Sequence, residues 1–166
     1  LIALNDRVTG HNVDDVITSL RSDFAGDSLM ETNRTVQQLL QKGRQVTLSK
    51  SDGTSETAVV DLIDHETPKN NSLIAANQFR VSRTHSIRPD ITLFVNGIPL
   101  VQFEVKSLAQ DNDYYDAISD LREYEKQVPR LFIPGLFNVA TDTTALRYGA
   151  VGAEREFYEP WSDGPP

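Results

Sequence analysis

The chain of 166 residues is long enough to bury a core as one domain, and 39% hydrophobic against 24% charged residues sets it apart from disordered sequences. Its formal net charge of −8 argues against tight, sequence-independent DNA binding, which needs clustered Lys and Arg, but leaves an acidic metal-dependent site open. The lack of cysteine excludes disulfides and thiol nucleophiles and fits a cytoplasmic protein, and no run of 18 apolar residues is present, so no membrane-spanning helix is expected.

The chain starts at Leu1 and stops on Trp161-Ser162-Asp163-Gly164-Pro165-Pro166, as a piece of a longer polypeptide would. Residues 1–44 read as a helical part and 45–166 as the core of a single domain. Asn12 is positioned to cap a helix over 13–24, where Val13, Val16, Ile17, Leu20 and Phe24 form one apolar stripe. A second helix is expected over 31–42, with Val36, Leu39 and Leu40 inward and Gly43 just beyond. Strands over 45–50 and 57–64 flank the turn Ser51-Asp52-Gly53-Thr54, and a third strand covers 73–82. Asp111, Asn112 and Asp113 are N-cap candidates for a helix over 113–127, whose apolar positions are Tyr114, Ala117, Ile118, Leu121 and Tyr124 and which Pro129 ends. An apolar strand is expected over 131–140, and Asp142 is placed to cap a short helix ending at Gly149. This order predicts a mixed α+β fold of the α/β class, with a central mixed sheet flanked by helices.

Residues 88–107, RPDITLFVNGIPLVQFEVKS, read as a hairpin turning at Asn96-Gly97. Two registers are open. A two-residue turn pairs Val95 with Ile98 and sets Asp90 opposite Phe103, with Glu104 on the other face. One more loop residue pairs Val95 with Pro99 and sets Asp90 beside Glu104. In that second register one face carries Asp90, Thr92, Phe94, Leu100, Gln102, Glu104 and Lys106. The other carries Ile91, Leu93, Val101, Phe103 and Val105 and can pack on a helix. Two adjacent carboxylates repel, and a divalent cation with oxygen ligands reconciles them. Asp90, Glu104 and the backbone carbonyl of Val105 could then hold Mg²⁺, while Lys106 orients a water or steadies charge growing on a phosphate. The same residues also read as a solvated hairpin face, although the apolar neighbours place the charges in or beside the core.

Pro89-Asp90 followed by Glu104-Val105-Lys106 is the PD-(D/E)xK pattern, and the whole hairpin phrase resembles the N-terminal nuclease domain of the restriction (HsdR) subunit of type I restriction-modification enzymes. The resemblance extends over roughly 58–161, through Leu62-Ile63-Asp64, Asn77-Gln78-Phe79, Tyr124 and Pro129-Arg130-Leu131-Phe132. It implies a restriction-endonuclease-like core, with Asp90 and Glu104 as metal ligands and Lys106 as the catalytic lysine. It also implies a helix motif in which Tyr124 matches the tyrosine, while Asp120 stands where the family has Gln. A magnesium-dependent endonuclease acting on double-stranded DNA follows from the resemblance. So do an ATP-driven helicase or translocase domain in the same chain, and modification and specificity subunits that bring S-adenosylmethionine to the complex. No phosphate-cradling GxxxxGK[ST] sequence is present, so ATP is not expected to bind these residues. A non-catalytic docking domain with a degenerate site and a stand-alone repair nuclease are the rival readings. Asp14, Asp15, Asp23 and Glu31 are candidates for a further acidic ligand but read more readily as helix surface. Asp61 and Asp64 read as structural and His85 as a surface residue. Lys50, Arg80, Arg83 and Arg88 are candidate phosphate contacts.

Overall fold

The computed structural model describes residues 1–26, 28–82, 84–107 and 113–161. Among the described residues four α-helices, α1 (Val13–Arg21), α2 (Leu29–Lys42), α3 (Tyr114–Gln127) and the single turn α4 (Pro129–Phe132), accompany ten strands. Strands β1 (Arg44–Ser49) and β2 (Ser55–Val60) form a two-stranded antiparallel hairpin against α1. β4 (Val81–Ser82) and β5 (Ser86–Ile87) form a second small ladder. The central sheet is mixed and six-stranded, in the order β10 (Glu159–Pro160), β9 (Leu146–Ala150), β8 (Phe137–Thr141), β7 (Ile98–Val105), β6 (Ile91–Val95), β3 (Leu73–Asn77). Among the described residues only β7 and β8 run parallel. A parallel pair needs a long crossover, and α3 with α4 supplies it. Among the described residues no helix is long and apolar enough to cross a membrane.

Helices cover both faces of this sheet. Val36 and Leu40 of α2 pack with Val101, Val139, Leu100 and Ile133 on one face, and the other apolar flank of α2, at Leu39, joins Val8, Val16, Leu20, Val46, Leu48 and Val60 around α1 and the β1–β2 hairpin. On the opposite face Ala117, Ile118 and Leu121 of α3 pack with Ala140, Val151, Phe132 and Tyr158. The predicted apolar stripes of α2 and α3 face the core, and so does that of α1 except at Ile17, which is 37% exposed. The amides of Asn33 and Gln37 on α2 both donate to the Gly135 carbonyl, at 2.8 and 2.9 Å, and tie the approach to β8 onto the helix.

Several local expectations are corrected. Asn12 does not cap α1 through its side chain; it accepts from the Thr9 amide and donates to the Arg7 carbonyl, bracing the preceding loop. The strand expected over 57–64 is Ser55–Val60. The one expected over 73–82 breaks at Gln78, whose φ of 50° is incompatible with extended chain. The strand expected over 131–140 is shorter, because Pro129 opens a helical turn that holds Leu131 and Phe132, leaving only Phe137–Thr141 extended. Asp142 caps a hairpin turn, not a helix. Its Oδ1 accepts from the Thr144 and Ala145 amides and the Thr144 hydroxyl, and β9 follows. Asp113 is the N-cap of α3, in a reciprocal box with Asp116; Asp111, Asn112 and Arg83 lie outside the described residues.

The Asn96-Gly97 turn has both residues at positive φ, 52° and 81°, the signature of a tight two-residue hairpin. The Asn96 side chain accepts from the Ser72 amide and donates to Leu62 O and Asn71 Oδ1. Asn96→Ala therefore loses three hydrogen bonds and a favoured left-handed residue, at a cost of about 2 kcal/mol, or roughly 4–8 °C in melting temperature. Gly97→Ala, whose new Cβ meets nothing within 4 Å, costs about 1 kcal/mol from backbone strain alone. Thermal unfolding followed by circular dichroism checks the order; equal losses would show that the Asn96 bonds contribute nothing.

Candidate active site

The register of the hairpin fixes the site. The turn is the two-residue kind, with Val95 opposite Ile98 and Phe94 opposite Pro99, yet Leu93 faces Val101. Leu100 is the extra residue of a β-bulge, beside a proline that cannot donate to the ladder. The additional residue expected in the loop thus sits one step further along, and the result for the acids is the same. Ile91 faces Phe103, so Asp90 comes to lie across from Glu104. Leu100 is displaced from the polar face and joins the apolar cluster under α2.

Asp90 is held at the mouth of β6. Its amide donates to the Phe103 carbonyl (3.1 Å), and its Oδ2 accepts from the Val105 amide (2.8 Å). Glu104 is 6% exposed, next to Ala140 of β8. One of its oxygens, Oε1, accepts from Lys106 Nζ at 3.3 Å; the other, Oε2, is buried and has no partner. Burial, and then the charge of Asp90, pushes the Glu104 carboxyl up to about 7, against the pull of Lys106. The Lys106 amide bonds Thr141 O on β8, and its ammonium also pairs with Asp120 of α3. Burial alone would lower the Lys106 pKa, but its bonds to Asp120 and Glu104 outweigh this and raise it.

Asp120 and Tyr124 lie one turn apart on the α3 face that meets β7 and β8. Burial first, then the charges of Glu104 and Asp120, holds the Tyr124 phenol protonated to higher pH than usual. It is therefore a hydrogen-bond donor at neutral pH. The structure thus gathers Asp90, Glu104, the Val105 backbone, Lys106 and Tyr124, as the sequence suggested, and adds Asp120 as the partner of the lysine.

The other candidates lie elsewhere. Asp23 pairs with Arg44 at 2.9 Å, Asp15 accepts from Ser49, and Asp14 and Glu31 are exposed on their helices. Asp64 accepts from Thr67 and Asn70 and shapes a loop, while Asp61 meets Asn5 through its backbone. Lys50 pairs with Glu56; Arg80, His85 and Arg88 are exposed.

A buried polar layer under α3 was not anticipated. Thr92 donates to Gln102 (2.7 Å), and Glu125 of α3 accepts from both Asn138 on β8 (2.7 Å) and the Gly152 amide (2.9 Å). Burial raises the Glu125 pKa, and these two donors oppose the rise. Its spacing was a usable signal, since Glu125 follows Leu121 by four residues on the buried stripe.

This donor set suits a divalent cation. The unpartnered, buried Glu104 Oε2 beside a second carboxylate is an acceptor awaiting a charge. Among the described residues no three His, Cys, Asp or Glu side chains cluster as ligands, so the protein would supply two carboxylates and a backbone carbonyl.

The family model for the type I restriction enzyme R protein N terminus matches residues 1–157. The type I restriction enzyme HindI endonuclease subunit of Haemophilus influenzae is 33% identical over 161 residues, covering 95% of this chain and 15% of that subunit. A Methanocaldococcus jannaschii protein provisionally described as the type I restriction enzyme MjaIXP endonuclease subunit is 32% identical over 116 residues, which is 68% of this chain and 11% of that protein. The Staphylococcus aureus SauCOLORF180P endonuclease subunit is 37% identical over 57 residues, 34% of this chain and 6% of that subunit. The chain belongs to the family of type I restriction enzyme R protein N termini.

Proposed function

We propose that this chain is the DNA-cutting module of a type I restriction enzyme, hydrolysing phosphodiesters of double-stranded DNA with Mg²⁺. The observation that carries this reading is the pairing of Asp90 with Glu104 across the bulged hairpin, with Glu104 Oε2 buried and unpartnered. Asp90, Glu104 and the Val105 carbonyl would hold the cation. When bound, it supplies Lewis-acid polarisation of the scissile phosphate and a more acidic water.

The chain's own residues do the rest. Asp90, tied to the Val105 amide, fixes the end of β7 and hence the spacing of the two acids. The Lys106 ammonium, charged at neutral pH, donates to a water or to a phosphate oxygen as negative charge grows there. The Tyr124 hydroxyl adds a neutral donor from the helix side. Nothing in this constellation reads a base, so target choice falls to other parts of the enzyme. The chain spans about 15% of the HindI subunit it matches. An ATP-driven translocase in the same polypeptide, and modification and specificity subunits using S-adenosylmethionine, complete the proposal.

Asp90→Ala and Lys106→Ala, each made in the intact restriction complex, should lower DNA cutting by about 100-fold or more. ATP hydrolysis should persist, because neither residue contributes to it in this reading. Both activities are measured on one preparation; a complex that still cuts with either substitution removes the proposed site.

A second expectation concerns stability without divalent cations. Glu104 binds its proton more tightly in the fold (about 7) than in the unfolded chain (4.5). The stabilisation from that proton is complete below pH 4.5 and is lost as pH rises to about 7. Glu104→Gln keeps the shape but has no proton to lose. At pH 8 it should be more stable than the parent by up to about 3 kcal/mol, with the gap closing towards pH 4.5. Urea unfolding at both pH values reads this; a gap independent of pH would contradict it.

A further inference from the structure

Asp120 has no part in the chemistry above, although it makes the closer of the two ion pairs to Lys106. We infer that Asp120 is a positioning residue that holds the Lys106 ammonium, so that it caps one oxygen of Glu104 and leaves the other for the cation. The inference rests on the metal-dependent reading of the site.

A lysine ammonium carries three donors on a flexible stem and settles where its acceptors are. Here two carboxylates compete for it from different elements. Glu104 approaches from β7 at 3.3 Å, and Asp120 approaches more closely from α3. Asp120 is half-exposed (its side chain is 43% accessible), whereas Glu104 is buried. Attraction between opposite charges strengthens with burial, so a lysine released from Asp120 would be drawn further onto Glu104. It would then occupy the acid that the cation needs. Asp120 instead anchors the amine towards the helix and keeps Glu104 Oε2 unencumbered.

Two other roles for Asp120 are less consistent with the site. Among the described residues no three acidic side chains form a ligand cluster, so Asp120 acts through Lys106 and not on the metal. A simple contribution of negative charge is separable by experiment, because Asn keeps an acceptor at the same reach without the charge.

The test is calorimetric titration of the intact, nucleotide-free protein with Mn²⁺, counting only the binding that Asp90→Ala abolishes. Asp120→Ala should bind Mn²⁺ about tenfold more weakly than the parent. Asp120→Asn should recover to within about threefold of the parent. Both side chains sit at a partly exposed position, and thermal unfolding run in parallel verifies that the variants are folded. Asp120→Ala binding as tightly as the parent overturns the positioning role. So does Asp120→Asn binding as weakly as Asp120→Ala, which would leave only the charge. A parent protein with no Asp90-dependent Mn²⁺ binding overturns the metal reading itself, and so fails in a different place.

Discussion

One surplus residue in a two-stranded ladder decides what this chain can do. Side chains on a strand alternate faces, so a slip of one position would send Glu104 to the α2 side of the sheet and leave Asp90 opposite Phe103. The tight Asn96-Gly97 turn, on its own, imposes that wrong register. The bulge at Leu100 reverses it between the turn and the acids. The Pro99 next to it has no amide hydrogen, so the ladder loses little there. Leu100, turned out of phase, is absorbed by the apolar cluster under α2. The irregularity is thus costed into the core at the point where it is needed.

The second constraint is electrostatic. Two carboxylates share one ammonium at the end of β7, with Asp90 tied to the backbone beside them, and Glu104 is almost fully removed from water. A buried carboxylate with a like charge beside it stays protonated to higher pH or acquires a counter-charge. Lys106 meets part of that need, through one oxygen only. The site is therefore left with a deficit of positive charge, and the proposed divalent-ion role rests on that deficit.

Much of this was legible before any coordinates. The apolar stripes of three helices, the hairpin, and the two acids with their lysine could be read from spacing, because side-chain periodicity is local. The resemblance of residues 88–107 then gave the pattern its meaning. What escaped reading was non-local. Whether an extra residue lies in a turn or a bulge depends on how both strands pack, not on the turn residues. Asp142 caps a hairpin because the chain beyond it returns to β8, which a capping residue alone does not reveal. Asp120 could be weighed as a departure from a motif, but its contact with Lys106 depends on where α3 lies on the sheet. Glu125 was available to the same periodicity that found Leu121.

That last residue has a bearing on the acids some distance from it. Apolar packing is indifferent to direction, and a helix lying on aliphatic side chains alone can slide or roll at small cost. The Glu125 carboxylate instead takes bonds from a strand and from a loop, and such bonds weaken steeply when misaligned. Each residue of helical phase is worth about 100° of rotation, so this fastening dictates the azimuth at which the next residue back, Tyr124, and the one a turn earlier, Asp120, address the strand ends. The aim of the two helix side chains at the acidic cluster is set by a peg driven through the floor beneath it.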